Sequence, residues 1–499
     1  MSNTLTIPQI DWAMILPITI VAVTGILALI LETLWPKRAN AGKWLISILG
    51  LAAAGMTLVN QFNSPEGDTL NGLLIRDRFG LVAQLLIVGA AAICILFSEE
   101  YLGQKRIAFG EFYPLALWST VGAMVMVSTH NLLVIFVGLE ILSIALYVMA
   151  GMSRSEEKSE ESAMKYFLLG AFASAFLLYG IAFIYGATGT LDMVRDTAIN
   201  VAGSVSVHHD VYATTAWSSH QAATNGLLAF RAALILIGLG FKSSLVPFHQ
   251  WTPDVYQGAP TNVAAFMASV SKIAALGTLW RVVTDTSALS SFYIPILFWL
   301  AILTMTVGNI VALVQKDVKR ILGYSSISHA GYVLVAITAN LKDPLHTSYT
   351  TVLYYLGAYT LMTIGSFAVV ALVANQGKEG TKLENLYGLG KRAPVAAAAL
   401  IVFMVSLIGM PPTAGFIGKW MIFNDAIASG LTPLALVLAA NSAISIYYYV
   451  GIIRAAYVVE DDGLGISTTR NGAYAATLFC LVGVLLATIF VTPFLSSVR

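Results

Sequence analysis

Four lysines and one glutamate stand where ionised groups are expensive. Lys165, Lys242, Lys272 and Lys419 fall inside long apolar runs, and Glu140 is alone in the stretch FVGLEILSIALYVMAG; Glu32 and Asp425 lie near the ends of such runs. A charge at the centre of a membrane helix costs roughly 2.5 to 3.5 kcal/mol, so five together cost on the order of 12 to 17 kcal/mol. That rivals the net stability of a whole domain, about 5 to 15 kcal/mol. Desolvation disfavours the charged form of an amine or a carboxyl, and a nearby opposite charge restores it. Lysines and a carboxylate in apolar surroundings therefore have the chemistry of a proton relay.

Their spacing gives the relay an order. Glu140 and Lys165 lie on neighbouring runs joined by a short connection, and an ion pair between them is expected. Opening that pair would leave Glu140 free to stabilise the charged form of Lys242. His249 follows Lys242 by seven residues, about two helical turns, which puts it on a similar face as a candidate relay. A structural histidine at the end of a span fits His249 as well. His329 is a second candidate relay because it is mid-span. Lys272 occurs in ASVSKIAAL, among small and hydroxylated residues that permit close helix packing.

The elements that must hold these groups are transmembrane helices. The chain has 499 residues, 58% hydrophobic and 11% charged, against about 25% charged in soluble domains; mean hydropathy is +0.79. Apolar runs long enough to span a bilayer recur near 12–33, 43–61, 79–97, 112–128, 131–150, 162–187, 226–248, 260–282, 292–314, 320–340, 348–374, 395–428, 433–457 and 472–494. The fold class expected is an all-α polytopic membrane protein of about 14 helices. The first run follows an acidic start and precedes Lys37, Arg38 and Lys43, the reverse of a cleavable signal peptide, so it is expected to remain a span. Odd-numbered connections hold 16 Lys and Arg, and even-numbered ones with the C-terminus hold 7. The positive-inside rule then puts both termini outside the cytoplasm. The four remaining cations are the four lysines named above.

An internal similarity orders the spans. SIALYVMAG at the end of the fifth aligns with SHAGYVLVA in the tenth, Ser143 with Ser328 and Tyr147 with Tyr332; YFLLGAF in the sixth aligns with LYYLGAY in the eleventh, Gly170 with Gly357. Spans four to eight and nine to thirteen then form two five-helix repeats. An odd number of helices makes the second inverted relative to the first. The expected division is an N-terminal three-helix segment at 1–111, the repeats at 112–285 and 286–460, and a C-terminal helix at 461–499. Corresponding spans are interrupted: the seventh reads GLGFKSSLVPFHQW and the twelfth SLIGMPPTAGFIGKW. Pro247 deprives the Ser243 carbonyl of its amide donor, and Pro411 and Pro412 free carbonyls one turn back. Bare backbone at membrane depth is tolerated only where it lines a wet or protein-buried cavity, and a lysine accompanies each break.

Other chemistries find little support. Cys94 and Cys480 lie in apolar runs, and two cysteines make neither an iron–sulfur site nor a disulfide framework. GLG at 388–390 lacks the context of a phosphate loop. His208, His209 and Asp210 fall in a polar stretch where a solvated surface is the expectation. A net charge of +1 offers no basic surface for nucleic acid.

With these residues assembled, the chain resembles the antiporter-like proton-pumping subunits of respiratory complex I, the proton-translocating NADH:quinone oxidoreductase, and among them the subunit N branch. The resemblance spans essentially the whole chain. It is carried by Glu140, Lys165, Lys272, the segment GFKSSLVPFHQWTPDVYQGAPT with Lys242 and His249, and MPPTAGFIGKW with Lys419. Subunits of multi-component sodium/proton antiporters share this core and are the alternative; Lys419 and the fourteen-span length favour the subunit N branch. The resemblance implies proton transfer through Glu140, Lys165, Lys242, Lys272 and Lys419, with uptake toward Lys242 and release near Lys419. It implies no cofactor on this chain, with FMN and iron–sulfur clusters on partner subunits and quinone as electron acceptor. It also implies partners in the other membrane subunits, including a second antiporter-like subunit and small subunits toward the quinone arm, within the lipid bilayer of a bacterial plasma membrane.

Overall fold

The computed structural model describes residues 10–35, 40–104, 110–154, 156–193, 195–201, 204–210, 225–375, 378–458, 471–492 and 495. Each of the expected spans is helical. The first six spans are α1 (Trp12–Leu34), α2 (Asn40–Gln61), α3 (Arg78–Leu96), α4 (Phe112–Met126), α5 (Leu132–Ala150) and α6 (Glu157–Thr188). The seventh is broken into α7a (Asn225–Ser243) and α7b (Trp251–Gly258). Then come α8 (Thr261–Asp285), α9 (Ser290–Ala312), α10 (Val318–Lys342) and α11 (Tyr349–Leu372). The twelfth is broken into α12a (Pro394–Ile408) and α12b (Ala414–Ala428), followed by α13 (Thr432–Tyr457) and α14 (Asn471–Ile489). Among the described residues 11 helices are long and apolar enough to cross a membrane unbroken, and α4 is a shorter apolar helix.

Side-chain caps set several boundaries. Asp77 accepts from the Gly80 amide at the start of α3, Asn131 from Leu133 and Val134 at α5, Asp317 from Arg320 at α10, and Thr413 from Phe416 at α12b. Each satisfies an amide that the first turn leaves without a partner. Both first half-helices end on a residue of positive φ. Helix α7a stops with Ser244 at φ 60°, and α12a with Gly409 at φ 87°, a left-handed conformation that glycine adopts without a side-chain clash.

Burial separates the centre from the rim. The apolar windows of α8 and α10 are 94% buried and that of α11 is 89%, against 33% for α1, α6, α9 and α13. The middle of the bundle is therefore built on α8, α10 and α11, two of which carry Lys272 and His329. The hairpins α4–α5 and α9–α10 cross alike. A Cβ on Gly122 would stand 2.5 Å from Gly138 O and Leu142 N, and one on Gly308 would stand 2.8 Å from Ser328 N and 3.0 Å from Tyr324 O. In both, the residues met are those sixteen and twenty positions beyond the glycine, so each crossing depends on a residue without a side chain.

The stretch holding His208, His209 and Asp210 is one strand of an antiparallel hairpin, β3 (Arg195–Val201) with β4 (Ser204–Asp210); two smaller hairpin strands, β1 (Gly67–Thr69) and β2 (Leu74–Arg76), precede it between α2 and α3. One sequence expectation needs correction. The buried cations exceed the lysines counted from apolar runs. Lys43 and Arg281, at the ends of the runs 43–61 and 260–282, and Lys319, just before the run 320–340, were counted with the connections but are buried, because each stands within its helix: α2, α8 or α10.

Candidate proton-transfer site

Lys242 closes the last turn of α7a and is 2% exposed. Its Nζ donates to Ser143 Oγ on α5 at 2.8 Å and to Tyr166 OH on α6 at 2.9 Å. The Tyr166 ring stacks on Trp251, centroids 4.4 Å apart, and Trp251 Nε1 donates to the Phe241 carbonyl at 2.9 Å. The first residue of α7b thus fixes both the tyrosine that holds Lys242 and the end of the helix that carries it. Glu140 lies on α5 one turn from Ser143, and its Oε1 is buried without a donor. It is the carboxylate whose field reaches Lys242.

Lys272 on α8 donates from Nζ to the Ser243 carbonyl at 2.7 Å. Lys419 on α12b donates to the Leu407 carbonyl at 3.0 Å and the Ile408 carbonyl at 2.8 Å. These are the three carbonyls that lie four residues before Pro247, Pro411 and Pro412, each of which lacks an amide to give. An ammonium at the C-terminal end of a half-helix also meets the negative end of its dipole. Beside these lysines stand the aligned tyrosines: the Lys242 ammonium is 5.9 Å from the Tyr147 ring centroid, and that of Lys419 is 4.6 Å from the Tyr332 ring centroid.

His329 is bonded at both ring nitrogens. Its Nδ1 pairs with Tyr355 OH on α11 at 2.7 Å and its Nε2 with Tyr449 OH on α13 at 3.1 Å; Tyr449 OH also pairs with Ser325 Oγ at 2.5 Å. The ammonium groups of Lys419 and Lys272 both act on this imidazole. Glu140, Lys242, Lys272, His329 and Lys419 therefore run in sequence across α5, α7a, α8, α10 and α12b. Imidazole and hydroxyl groups both give and accept protons, so the arrangement can relay them.

Lys165 departs from the expected pattern. Its Nζ pairs with Glu161 at 2.6 Å and Asp254 at 2.7 Å, its side chain is 41% exposed, and Asp254 is shared with Arg320 at 2.5 Å. The expected ion pair with Glu140 is not formed, for a geometric reason. Helices α5 and α6 run antiparallel with Gly151 packed on Ala163 and Gly170 on Tyr147, which sets Lys165 opposite the end of α5. Glu140 is ten residues before that end, about 15 Å deeper. His249 differs too. Helix α7a ends at Ser243, so no helical face is common to His249 and Lys242. His249 sits in the break, half-buried, with Nδ1 lacking a partner and Lys272 as the charge that reaches it.

Several site residues escaped the sequence reading. Ser143 and Tyr166 hold Lys242, and Tyr355 and Tyr449 hold His329. Ser143 was visible through the repeat alignment; the others are single members of a set of 21 tyrosines that spacing alone does not rank. Among the described residues no group of three or more His, Cys, Asp or Glu is arranged to hold a metal ion.

A multi-pass bundle with two broken helices, each freed carbonyl capped by a buried lysine, is the architecture of an antiporter-like membrane subunit. Residues 129–445 match the family model described as NADH:quinone oxidoreductase/Mrp antiporter, TM. The chain is 39% identical to NADH-quinone oxidoreductase subunit N of Trichlorobacter lovleyi, over 89% of this chain and 87% of that one. It is 39% identical to NADH-quinone oxidoreductase subunit N 2 of Koribacter versatilis, over 98% and 96%. A chain of respiratory complex I from Thermus thermophilus superposes with a TM-score of 0.78 at 32% identity, covering 96% of this chain and 98% of that one. A chain of the Mrp complex from Dietzia shares the fold, with a TM-score of 0.79 at 19% identity over 98% and 96%. The chain belongs to the NADH:quinone oxidoreductase/Mrp antiporter membrane-subunit family, on the side of its subunit N members.

Proposed function

We propose that this chain is the proton-translocating, antiporter-like membrane subunit N of an NADH:quinone oxidoreductase, and that protons pass along Glu140, Lys242, Lys272, His329 and Lys419. The observation that carries this reading is the continuity of the axis: every freed carbonyl of the broken helices is occupied by one of its lysines, and a histidine bonded at both nitrogens stands between them. Electron transfer takes place on other subunits bearing FMN and iron–sulfur clusters, with quinone as acceptor, and this chain performs only the translocation. Its partners are the other membrane subunits of that complex, among them a second antiporter-like subunit and the small membrane subunits toward the quinone arm.

The matched glycine crossings of α4–α5 and α9–α10 and the paired breaks support two inverted repeats, 112–285 and 286–460, flanked by 1–111 and 461–499. Similarity to bacterial subunit N chains supports a bacterial plasma membrane, and the charge asymmetry of the connections supports both termini outside the cytoplasm. Lys165, held with Asp254 and Arg320, assists uptake on the cytoplasmic face rather than switching Glu140. His249 serves Lys272 from within the α7 break.

The test is NADH-driven proton translocation in sealed vesicles, together with the set of proteins that co-purify in mild detergent. Co-purification with flavin and iron–sulfur subunits, and loss of most translocation in Glu140→Ala, support the reading. Sodium-dependent proton flux from vesicles without NADH-linked activity would overturn it in favour of a sodium/proton antiporter.

A further inference from the structure

The axis described above ends at Lys419, yet α12b carries a second ionisable group. Asp425 lies six residues further along that helix, about 9 Å by helical rise, toward the end where Ser429 and Gly430 close it. Its Oδ2 is buried without a hydrogen-bond donor, while the Thr351 hydroxyl on α11 stands within hydrogen-bonding reach of the carboxyl group. An acidic oxygen shielded from water and given no donor is costly to retain. Among the described residues no ion pair holds it: Lys342, at the end of α10, donates to the Gly430 carbonyl at 3.4 Å.

Thr351 and Tyr355 lie four residues apart and share a face of α11. Both are buried, Thr351 3% exposed and Tyr355 0%. Tyr355 OH is already bonded to His329 Nδ1 at 2.7 Å. The Tyr355 ring presses on α12b at Gly418, where a Cβ would stand 2.6 Å from Cδ2, so α11 and α12b are in direct contact at the level of Lys419. The two positions are separated by about 6 Å of helical rise, and in the proposed route an ordered water joins their hydroxyls. His329, Tyr355, Thr351 and Asp425 therefore form a polar line that leaves the centre of the bundle along α11. It ends beside the α10–α11 and α12–α13 connections, where Asp343 and His346 are solvent-accessible.

We propose that Asp425 is a further proton-transfer residue of this chain, receiving protons from His329 through Tyr355 and Thr351 and releasing them at the face formed by the α10–α11 and α12–α13 connections. The step conserves every group but the ends. Protonated His329 gives its Nδ1 proton to the Tyr355 oxygen as Tyr355 passes its own proton toward Thr351. Thr351 in turn passes its proton to an Asp425 carboxylate oxygen. Both hydroxyls are left neutral, the imidazole neutral and the carboxyl protonated, ready to lose its proton to water. This route rests on the proton-translocating reading above and gives that reading a release group.

The experiment compares Asp425→Asn, Asp425→Glu, Thr351→Val and Lys242→Ala in the intact complex in sealed vesicles, with NADH-driven proton translocation normalised to assembled complex. It is combined with redox-induced infrared difference spectra. The proposal expects Asp425→Asn and Thr351→Val to slow translocation several-fold, Asp425→Glu to restore it, and a protonated-carboxyl C=O band of the wild type to vanish in Asp425→Asn and shift in Asp425→Glu. A purely structural role for Asp425 predicts no change in that band. Wild-type translocation in Thr351→Val, or an unaltered carboxyl band in Asp425→Asn, overturns the proposal. If Lys242→Ala is inactive while both of these hold, the release group alone is wrong; if Lys242→Ala also translocates normally, the underlying reading fails with it.

Discussion

Lys272 donates a 2.7 Å hydrogen bond to the main-chain carbonyl of Ser243, on another helix and 29 residues away, and that carbonyl is the one Pro247 leaves without an amide. One ammonium therefore has two duties: it caps a broken helix and it is a station for protons. The two are separable, because arginine keeps the first and not the second; it donates in the same way but does not deprotonate in proteins.

Lys272→Arg is accordingly expected to assemble normally and to translocate poorly. Lys272→Met leaves the Ser243 carbonyl buried and unsatisfied, at a cost of about 1 to 3 kcal/mol, and is expected to lower the thermal stability of the complex as well. Thermal unfolding and vesicle translocation, measured on the same two variants, separate these effects.

Gly409 makes the corresponding prediction in the second break. It sits at φ 87°, and a Cβ there would stand 2.8 Å from Lys419 Cδ. Gly409→Ala combines a backbone penalty of roughly 1 to 2 kcal/mol with displacement of the Lys419 ammonium from the Leu407 and Ile408 carbonyls. Translocation is expected to fall while the same substitution at Gly186, whose Cβ position is open, leaves it unchanged.

Tyr166→Phe keeps the ring stacked on Trp251 and removes only the hydroxyl that accepts from Lys242. A hydrogen bond to a charged group is worth about 1.5 to 3 kcal/mol, so the protonated form of Lys242 loses support. Translocation should slow, its pH profile should move toward lower pH, and assembly should be retained. A wild-type profile in vesicles would contradict the placement of Tyr166.

Asp77 and Arg281 supply a stability prediction. Burial pushes the Asp77 carboxyl up, but the Arg281 guanidinium, bonded to both its oxygens at 2.9 and 3.0 Å, overrides this and holds it below the usual range. A lowered folded pKa gives stability that is fully present above the unfolded value, about 3.9, and is lost as pH falls through the folded value. Thermal unfolding at stepped pH should show the wild type losing stability below about pH 4. Asp77→Asn should be less stable at neutral pH, by at most about 3 kcal/mol because the carboxyl is partly exposed, with a flatter acid limb.

How much of this was legible follows from which physical signal each part leaves in the sequence. Membrane helices announce themselves by apolar length, so all the spans appeared, and proline marks its own break and names the carbonyl it frees. What proline does not name is the donor. Lys242 adjoins the α7 break in sequence, but the bond to Ser243 comes from Lys272 on the next helix. Span edges carried the errors: Lys43 and Lys319, at or just before the start of an apolar run, stand inside α2 and α10 and are buried. Helix α6 likewise starts at Glu157, and its hairpin register with α5 keeps Lys165 from Glu140, a register that no local pattern encodes. Tyr166, Tyr355 and Tyr449 were silent because a tyrosine in a membrane helix reads as packing until its hydroxyl has a partner.

The central claim is that protons cross this chain through its buried lysines, and the most direct measurement is NADH-driven proton translocation in sealed vesicles carrying Lys242→Ala, normalised to assembled complex. The account predicts that translocation and the quinone reduction coupled to it both fall sharply, with Lys165→Ala affecting them far less. Translocation at the wild-type level in Lys242→Ala would contradict it.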